Sequence, residues 1–261
     1  MDLNLSGKTA LVFGAAGGLG SAIARTLAKE GANVALADIN DEAAERVAIE
    51  LRDAGVRTTV VKWDLNDLAV IDNNISRIEQ ELGPVDILVN NTGGPPPTAV
   101  ASQPQEVWAA HFQSMVLSVI AITDRVLPSM RARKFGRILT SSSSGAVSPI
   151  PNLGLSNALR ASLLSWSKTL SREVGRDGVT CNVIVPGRVA TPRIKFLDEQ
   201  KAKRENRQVK DISDESTATI PVGRYGDPQE YADVVTFLAS ERASYVTGSV
   251  IRVDGGLIPT I

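Results

Sequence analysis

The stretch LVFGAAGGLGSAIA, residues 11–24, decides the fold. It opens on an apolar β-type run, turns through Gly14, Gly18 and Gly20, and passes into a helical pattern. Glycine permits a tight turn, lets the backbone approach a bound anion, and leaves helix N-terminal N–H groups aimed at it. The spacing is GxxxGxG rather than GxGxxG, but the physical demand is the same. Working outward, the next β-type run, NVALAD at 33–38, ends on Asp38, 18 residues after Gly20. That is close to the offset of about 20 residues at which a carboxylate meets an adenosine ribose. Such a carboxylate bonds the ribose hydroxyls and repels a 2′-phosphate, and AAGGLG offers no Arg or Lys to receive one. The pattern therefore predicts NAD(H) in preference to NADP(H). A turn or N-cap role for Asp38, just before a helix at 41, is the plainer reading of the same residue.

The alternation continues along the chain. Strand patterns at about 57–63, 85–90, 136–142, 179–185 and 250–254 are separated by helical patterns at about 41–53, 67–82, 104–133, 154–174 and 228–238. Strands that are apolar throughout, without polar alternation, suit a parallel sheet buried between two helical layers. The expectation is an α/β, Rossmann-type, doubly wound parallel sheet of seven strands with helices on both faces. No repeat, low-complexity tract or linker divides the chain, so residues 1–261 are read as a single domain. One segment breaks the rhythm. Residues 188–221 are dense in charge, with Lys195, Lys201, Lys203, Arg204, Arg207 and Lys210 among acids. This insertion reads either as a solvated surface helix or as a mobile lid over a site.

Composition excludes several classes. A net charge of -1 supplies no basic field for nucleic acid or anionic lipid. No run approaches the roughly 18 uninterrupted apolar residues of a membrane span, and the start MDLNLSGKTA lacks a signal pattern, so a cytoplasmic protein is expected. One cysteine, Cys181, and one histidine, His111, leave no internal disulfide and no Cys/His zinc site. Cys181, in VTCNVIV, reads as a buried strand residue.

Further motifs fall in the same register: Asp64-Leu65 after the third strand, Asn90-Asn91-Thr92-Gly93 after the fourth, Pro186-Gly187 after the sixth with Thr191 four residues on, and Pro221–Gly256 at the C-terminal end. In these the whole chain resembles the short-chain dehydrogenase/reductase family, and is similar to its 3-oxoacyl-acyl-carrier-protein reductase-like members. The resemblance implies that Gly14, Gly18, Leu19 and Gly20 cradle the cofactor and that Asp64 and Leu65 flank adenine. It implies that Asn91 and Gly93 lie along the cofactor, and that Arg160, Pro186, Gly187, Val189 and Thr191 contact its nicotinamide end. For Asn90, a structural role joining neighbouring strands stands beside cofactor contact. The resemblance also implies a homotetramer built through the helices at 104–133 and 154–174 and the C-terminal segment.

The chain departs from the family where the chemistry lies. Family members carry a serine, a tyrosine thirteen residues later and a lysine four beyond that. Here those positions are Ser143, Ser156 and Arg160, and Met115 stands where the family has an asparagine. No tyrosine occurs between residues 1 and 224, so no shift of register restores one. A serine hydroxyl is a far weaker acid than a phenol held beside a lysine, and an arginine is a poor proton relay. Two readings follow. In one, Ser143, Ser156 and Arg160 polarise a small-molecule carbonyl in an NAD(H)-dependent oxidoreductase whose proton comes from water or substrate. In the other, the protein binds NAD(H) without turnover, as a sensor or partner-binding module. Pro95–Pro97 and SPIPNLG at 148–154 stiffen the rims of the pocket and favour a moderately hydrophobic ketone or alcohol.

Overall fold

Along the first strand, Thr9–Phe13, every residue is buried, yet Ala10 and Val12 face one core while Leu11 and Phe13 face another. Two apolar layers on opposite sides of one strand require a sheet covered on both faces. The computed structural model, which describes residues 2–261, shows that sheet. The strands are β1 (Thr9–Phe13), β2 (Asn33–Asp38), β3 (Thr58–Lys62), β4 (Ile87–Asn91), β5 (Gly136–Ser141), β6 (Val179–Pro186) and β7 (Val250–Val253). All pair in parallel, in the order β3-β2-β1-β4-β5-β6-β7.

The helices are α1 (Gly18–Lys29), α2 (Asp41–Asp53), α3 (Ile71–Leu82), α4 (Gln105–Phe112), α5 (Ser118–Ala132), α6 (Gly154–Val174), α7 (Pro192–Glu205), α8 (Val209–Ala218) and α9 (Pro228–Ala239). Helices α1, α2 and α9 close the first core, around Ile23, Leu27, Val47 and Tyr231. Helices α3, α5 and α6 close the second, around Ile75, Ile122, Val126 and Leu170. Strand order reverses between β1 and β4, which opens a crevice at the carboxyl ends of those strands.

Three local features differ from the sequence expectation. The helix expected over 67–82 starts only at Ile71, because the Asp67 carboxylate caps the Ala69 N–H and holds a short 3-10 turn first. The long helix expected over 104–133 contains a π turn at Gln113–Leu117, and Met115 lies buried within it. Such turns are frequent beside functional sites. The span Gln105–Ala132 is long and apolar enough to cross a membrane by length and composition alone, but Val119, Ile122, Val126 and Met130 are buried in the protein's own core.

The charged insertion forms α7 and α8, joined through Asn206 in the left-handed region at φ 51°. Several of its outer charges are paired: Glu215 accepts from Lys201 and Arg207, and Lys210 bonds Asp214. Its inner side is anchored. Asp198, almost fully buried, accepts from Arg188 at 2.8 Å and from the Tyr225 hydroxyl at 2.7 Å. The pair thus has a solvated outer face, while Arg193, Ile194 and Leu197 of α7 line the crevice. Cys181 is wholly buried in β6, where burial pushes its thiol up to about 12, as its apolar surroundings predicted.

Candidate functional site

The turn after β1 is built to admit an anion. Gly14 and Gly18 adopt φ of 63° and 54°, which L side chains resist. Helix α1 begins without a side-chain cap at Gly17 and without an acidic residue in its first turn. Its first N–H groups are therefore left for a ligand. A side chain on Gly17 or Gly93 would meet nothing within 4 Å, so the backbone at both faces open space. Opposite, Thr191 caps α7 by accepting from Ile194 N at 3.4 Å, and its Cβ lies 3.7 Å from where a Cβ on Gly18 would stand. These residues fit a pyrophosphate.

The crevice has two connected compartments. One, about 370 Å³, is lined by Asp38, Ile39, Trp63, Asp64, Leu65, Met115 and neighbours. The Asp38 carboxylate accepts from Ala16 N at 2.9 Å and from Asn40 N at 3.0 Å, so it orders the glycine turn while facing this compartment. The cap before α2 is supplied by Asn40, whose side chain accepts from Ala43 N. Among the described residues, no lysine or arginine lines this compartment. Asn91, whose Nδ2 donates to the Phe13 carbonyl at 3.2 Å, lines both compartments together with Gly14, Gly93 and Gly94. Asn90 points instead into the core, toward Thr123.

The second compartment, about 400 Å³, contains Gly14, Gly18, Leu19, Asn91, Gly93, Ser143, Ser156, Arg160, Pro186, Gly187, Val189 and Thr191. Gly20 lies buried just behind the turn. Ser156 and Arg160, four apart on α6, project from one face of the helix and are both buried. Ser143 Oγ accepts from Gly145 N at 3.1 Å, which holds the serine loop at the cavity. Arg160 donates to three carbonyls: Nη1 to Ser141 at 3.2 Å, and Nη2 to Thr92 and Gly93 at 3.0 Å each. It staples the ends of β4 and β5 together beneath the cavity. Burial, reinforced by the nearby Arg193 cation, draws its pKa down to about 10, so it stays charged at neutral pH.

Two site residues carry no signal in local sequence. Tyr231, wholly buried on α9, donates through its hydroxyl to Ser141 Oγ at 2.9 Å, and Ser141 lines the cavity. Burial raises the Tyr231 pKa, an effect eased by the Ser141 bond and the Arg160 charge. The partners lie 90 residues apart, and only the packing of α9 beneath β5 joins them. Arg193, from α7, reaches across the crevice to donate to the Pro95 carbonyl at 2.7 Å. It latches the insertion to the opposite rim.

Comparison with known proteins agrees with this geometry. Residues 14–258 match the family model described as Enoyl-(Acyl carrier protein) reductase. The chain is 37% identical over 253 residues to the oxidoreductase UcpA of Salmonella typhimurium, covering 97% of this chain and 95% of the relative. It is 35% identical over 258 residues to the 3-oxoacyl-acyl-carrier-protein reductase FabG of Escherichia coli, covering 98% and 99%. Among solved structures, L-sorbose reductase from Gluconobacter frateurii, complexed with NADPH and L-sorbose, superposes with a TM-score of 0.94 at 32% identity over the whole of both chains.

Proposed function

The chain belongs to the short-chain dehydrogenase/reductase family, and from that premise we propose that it is an NAD(H)-dependent oxidoreductase of a small-molecule carbonyl/hydroxyl pair with a non-tyrosine proton donor. One observation carries the reading: Ser143, Ser156 and Arg160 line the same cavity as Gly18, Thr191 and the open start of α1. When bound, the nicotinamide supplies or accepts the hydride. In reduction the carbonyl carbon gains that hydride and its oxygen must gain a proton. Ser143 and Ser156, which line the cavity, would hold that oxygen, while the Arg160 cation would offset its developing charge. Tyr231, by donating to Ser141 Oγ, orients that serine's own hydroxyl at the cavity wall, and the proton the oxygen gains comes from water or from the substrate.

The preference for NAD(H) is supported by Asp38 and by the lack of a cation along its compartment, where a 2′-phosphate would meet two carboxylates, Asp38 and Asp64. The NADPH bound to L-sorbose reductase makes this a sharp test. Exposed Phe112 and Leu117 near the π turn, together with Val250 and Ile261, support a homotetramer built through those surfaces. The second reading, cofactor binding without turnover, is favoured by the commitment of three Arg160 N–H groups to backbone carbonyls.

The test is NADH and NADPH oxidation over a panel of ketones and oxo acids, with the reverse reaction on the matching alcohols. NADH is expected to serve at least about 100-fold better than NADPH, the size of one or two charge-assisted hydrogen bonds. Tyr231→Phe is expected to keep NADH affinity and lose about 10- to 100-fold in turnover, with Ser156→Ala losing as much. Tight NADH binding with no turnover on any compound leaves only the binding role.

A further inference from the structure

The second compartment holds two arginines and no acid. Its lining residues include Arg160 and Arg193 but neither Asp nor Glu. Several cations around the insertion have acidic partners: Arg188 pairs with Asp198, and Lys201 and Arg207 with Glu215. Among the described residues, Arg160 and Arg193 have no carboxylate partner, and their hydrogen bonds go to carbonyls. They are also close together. The point where a Cβ on Gly94 would stand is 3.2 Å from Arg193 Nη2 and 3.7 Å from Arg160 Nη2, so the absence of a side chain there lets the two approach. Two desolvated like charges side by side are unfavourable unless an anion joins them. Arg160 Nη2 commits both of its N–H groups to Thr92 and Gly93, whereas Arg193 makes one hydrogen bond, to Pro95, so the donors that remain for a forked contact are Arg193's.

We infer that Arg193, seated beside Arg160, binds a substrate carboxylate, and that the substrate is an anionic oxo acid or its hydroxy acid rather than a neutral ketone or sugar. The inference rests on the oxidoreductase reading for the carbonyl end of the molecule. Leu153, Ile194 and Leu197 line the same compartment and supply apolar cover for a short carbon chain between carboxylate and carbonyl. The pyrophosphate of the cofactor is the competing anion. The turn that fits it lies at Gly17–Leu19, facing Thr191, whereas the arginines meet at Gly94, on the loop after β4. Arg193 comes from the insertion, so the carboxylate would take over the latch now made to Pro95 and hold α7 against the opposite rim.

The experiment uses the full chain saturated with NADH. Pyruvate, 3-oxobutanoate, 4-oxopentanoate and 5-oxohexanoate are titrated by calorimetry beside their methyl esters, with NADH oxidation measured in parallel. At least one acid is expected to bind about 10- to 100-fold tighter than its ester, the range for charge-assisted hydrogen bonds. Arg193→Gln removes that preference, Arg193→Lys keeps part of it, and both leave NADH affinity within about twofold. Three results overturn the inference: every ester binding as well as its acid, no acid binding at all, or Arg193→Gln weakening NADH by the same factor, which would assign the arginine to the cofactor. The two readings fail separately. Acid binding without turnover sinks the oxidoreductase and leaves the carboxylate site standing; turnover of neutral ketones with no preference for acids does the reverse.

Discussion

Gly20→Ala is expected to weaken NADH binding by about 100-fold or more and to lower stability by about 1–3 kcal/mol, the usual cost of forcing an atom into filled space. The added Cβ would stand 2.0 Å from the Gly14 carbonyl oxygen and 3.1 Å from Ala15 N. Both are backbone atoms, so no side chain can turn aside to make room. The turn itself has little freedom, because a Cβ on Gly14 would in its own right meet Asn91 Nδ2 at 2.6 Å. Relief must come from lifting α1 away from β1, which moves the uncapped N–H groups that fit the pyrophosphate. Gly17→Ala is the control. Gly17 has extended backbone, φ -168°, and nothing within 4 Å, so the variant is expected to fold as the parent does. Thermal unfolding and NADH fluorescence titration on both proteins decide the matter. Parent-like affinity and melting in Gly20→Ala would show that the turn is slack and does not set the cofactor site.

What could be read from the sequence is what short-range spacing encodes. Strands and helices repeat with their own periods, so the βα alternation and the sheet were visible, as was the glycine turn. The offsets joining Ser143, Ser156 and Arg160 were equally readable, since two of the three lie on one helix. Long-range partnerships were not. Nothing near Tyr231 announces that its hydroxyl ends under Ser141, and nothing near Arg193 announces Pro95. Asn90 and Asn91 look alike in sequence, yet strand pleat sends one to Thr123 and the other to the crevice. Arg160 is the instructive case. Its charge was legible and suggested polarisation of a substrate, but its three backbone carbonyls come from the ends of two strands and appear only in the fold.

That double engagement gives Arg160 the second large expected effect. Arg160→Ala strips donors from the Ser141, Thr92 and Gly93 carbonyls, and is expected to cost about 3 kcal/mol of stability. If the cation also faces the reacting oxygen, kcat/KM falls by at least about 100-fold, beyond anything the stability loss explains at temperatures where the variant is folded. Arg160→Lys separates the roles. An ammonium is a point charge that cannot span both strand ends as the guanidinium fork does, so the staple loosens while the charge stays. Burial beside Arg193 lowers the pKa of such a lysine, and its cation is lost as pH rises. The variant's rate is therefore expected to fall with increasing pH across a range where the parent, with Arg160 protonated up to about 10, stays level. A flat profile in both proteins would confine Arg160 to the staple. The double substitution Ser156→Tyr/Arg160→Lys then completes the comparison: a silent parent beside an active double variant means that the scaffold still seats cofactor and substrate but has given up turnover, whereas an active parent that loses its rate on Arg160→Ala has a mechanism of its own.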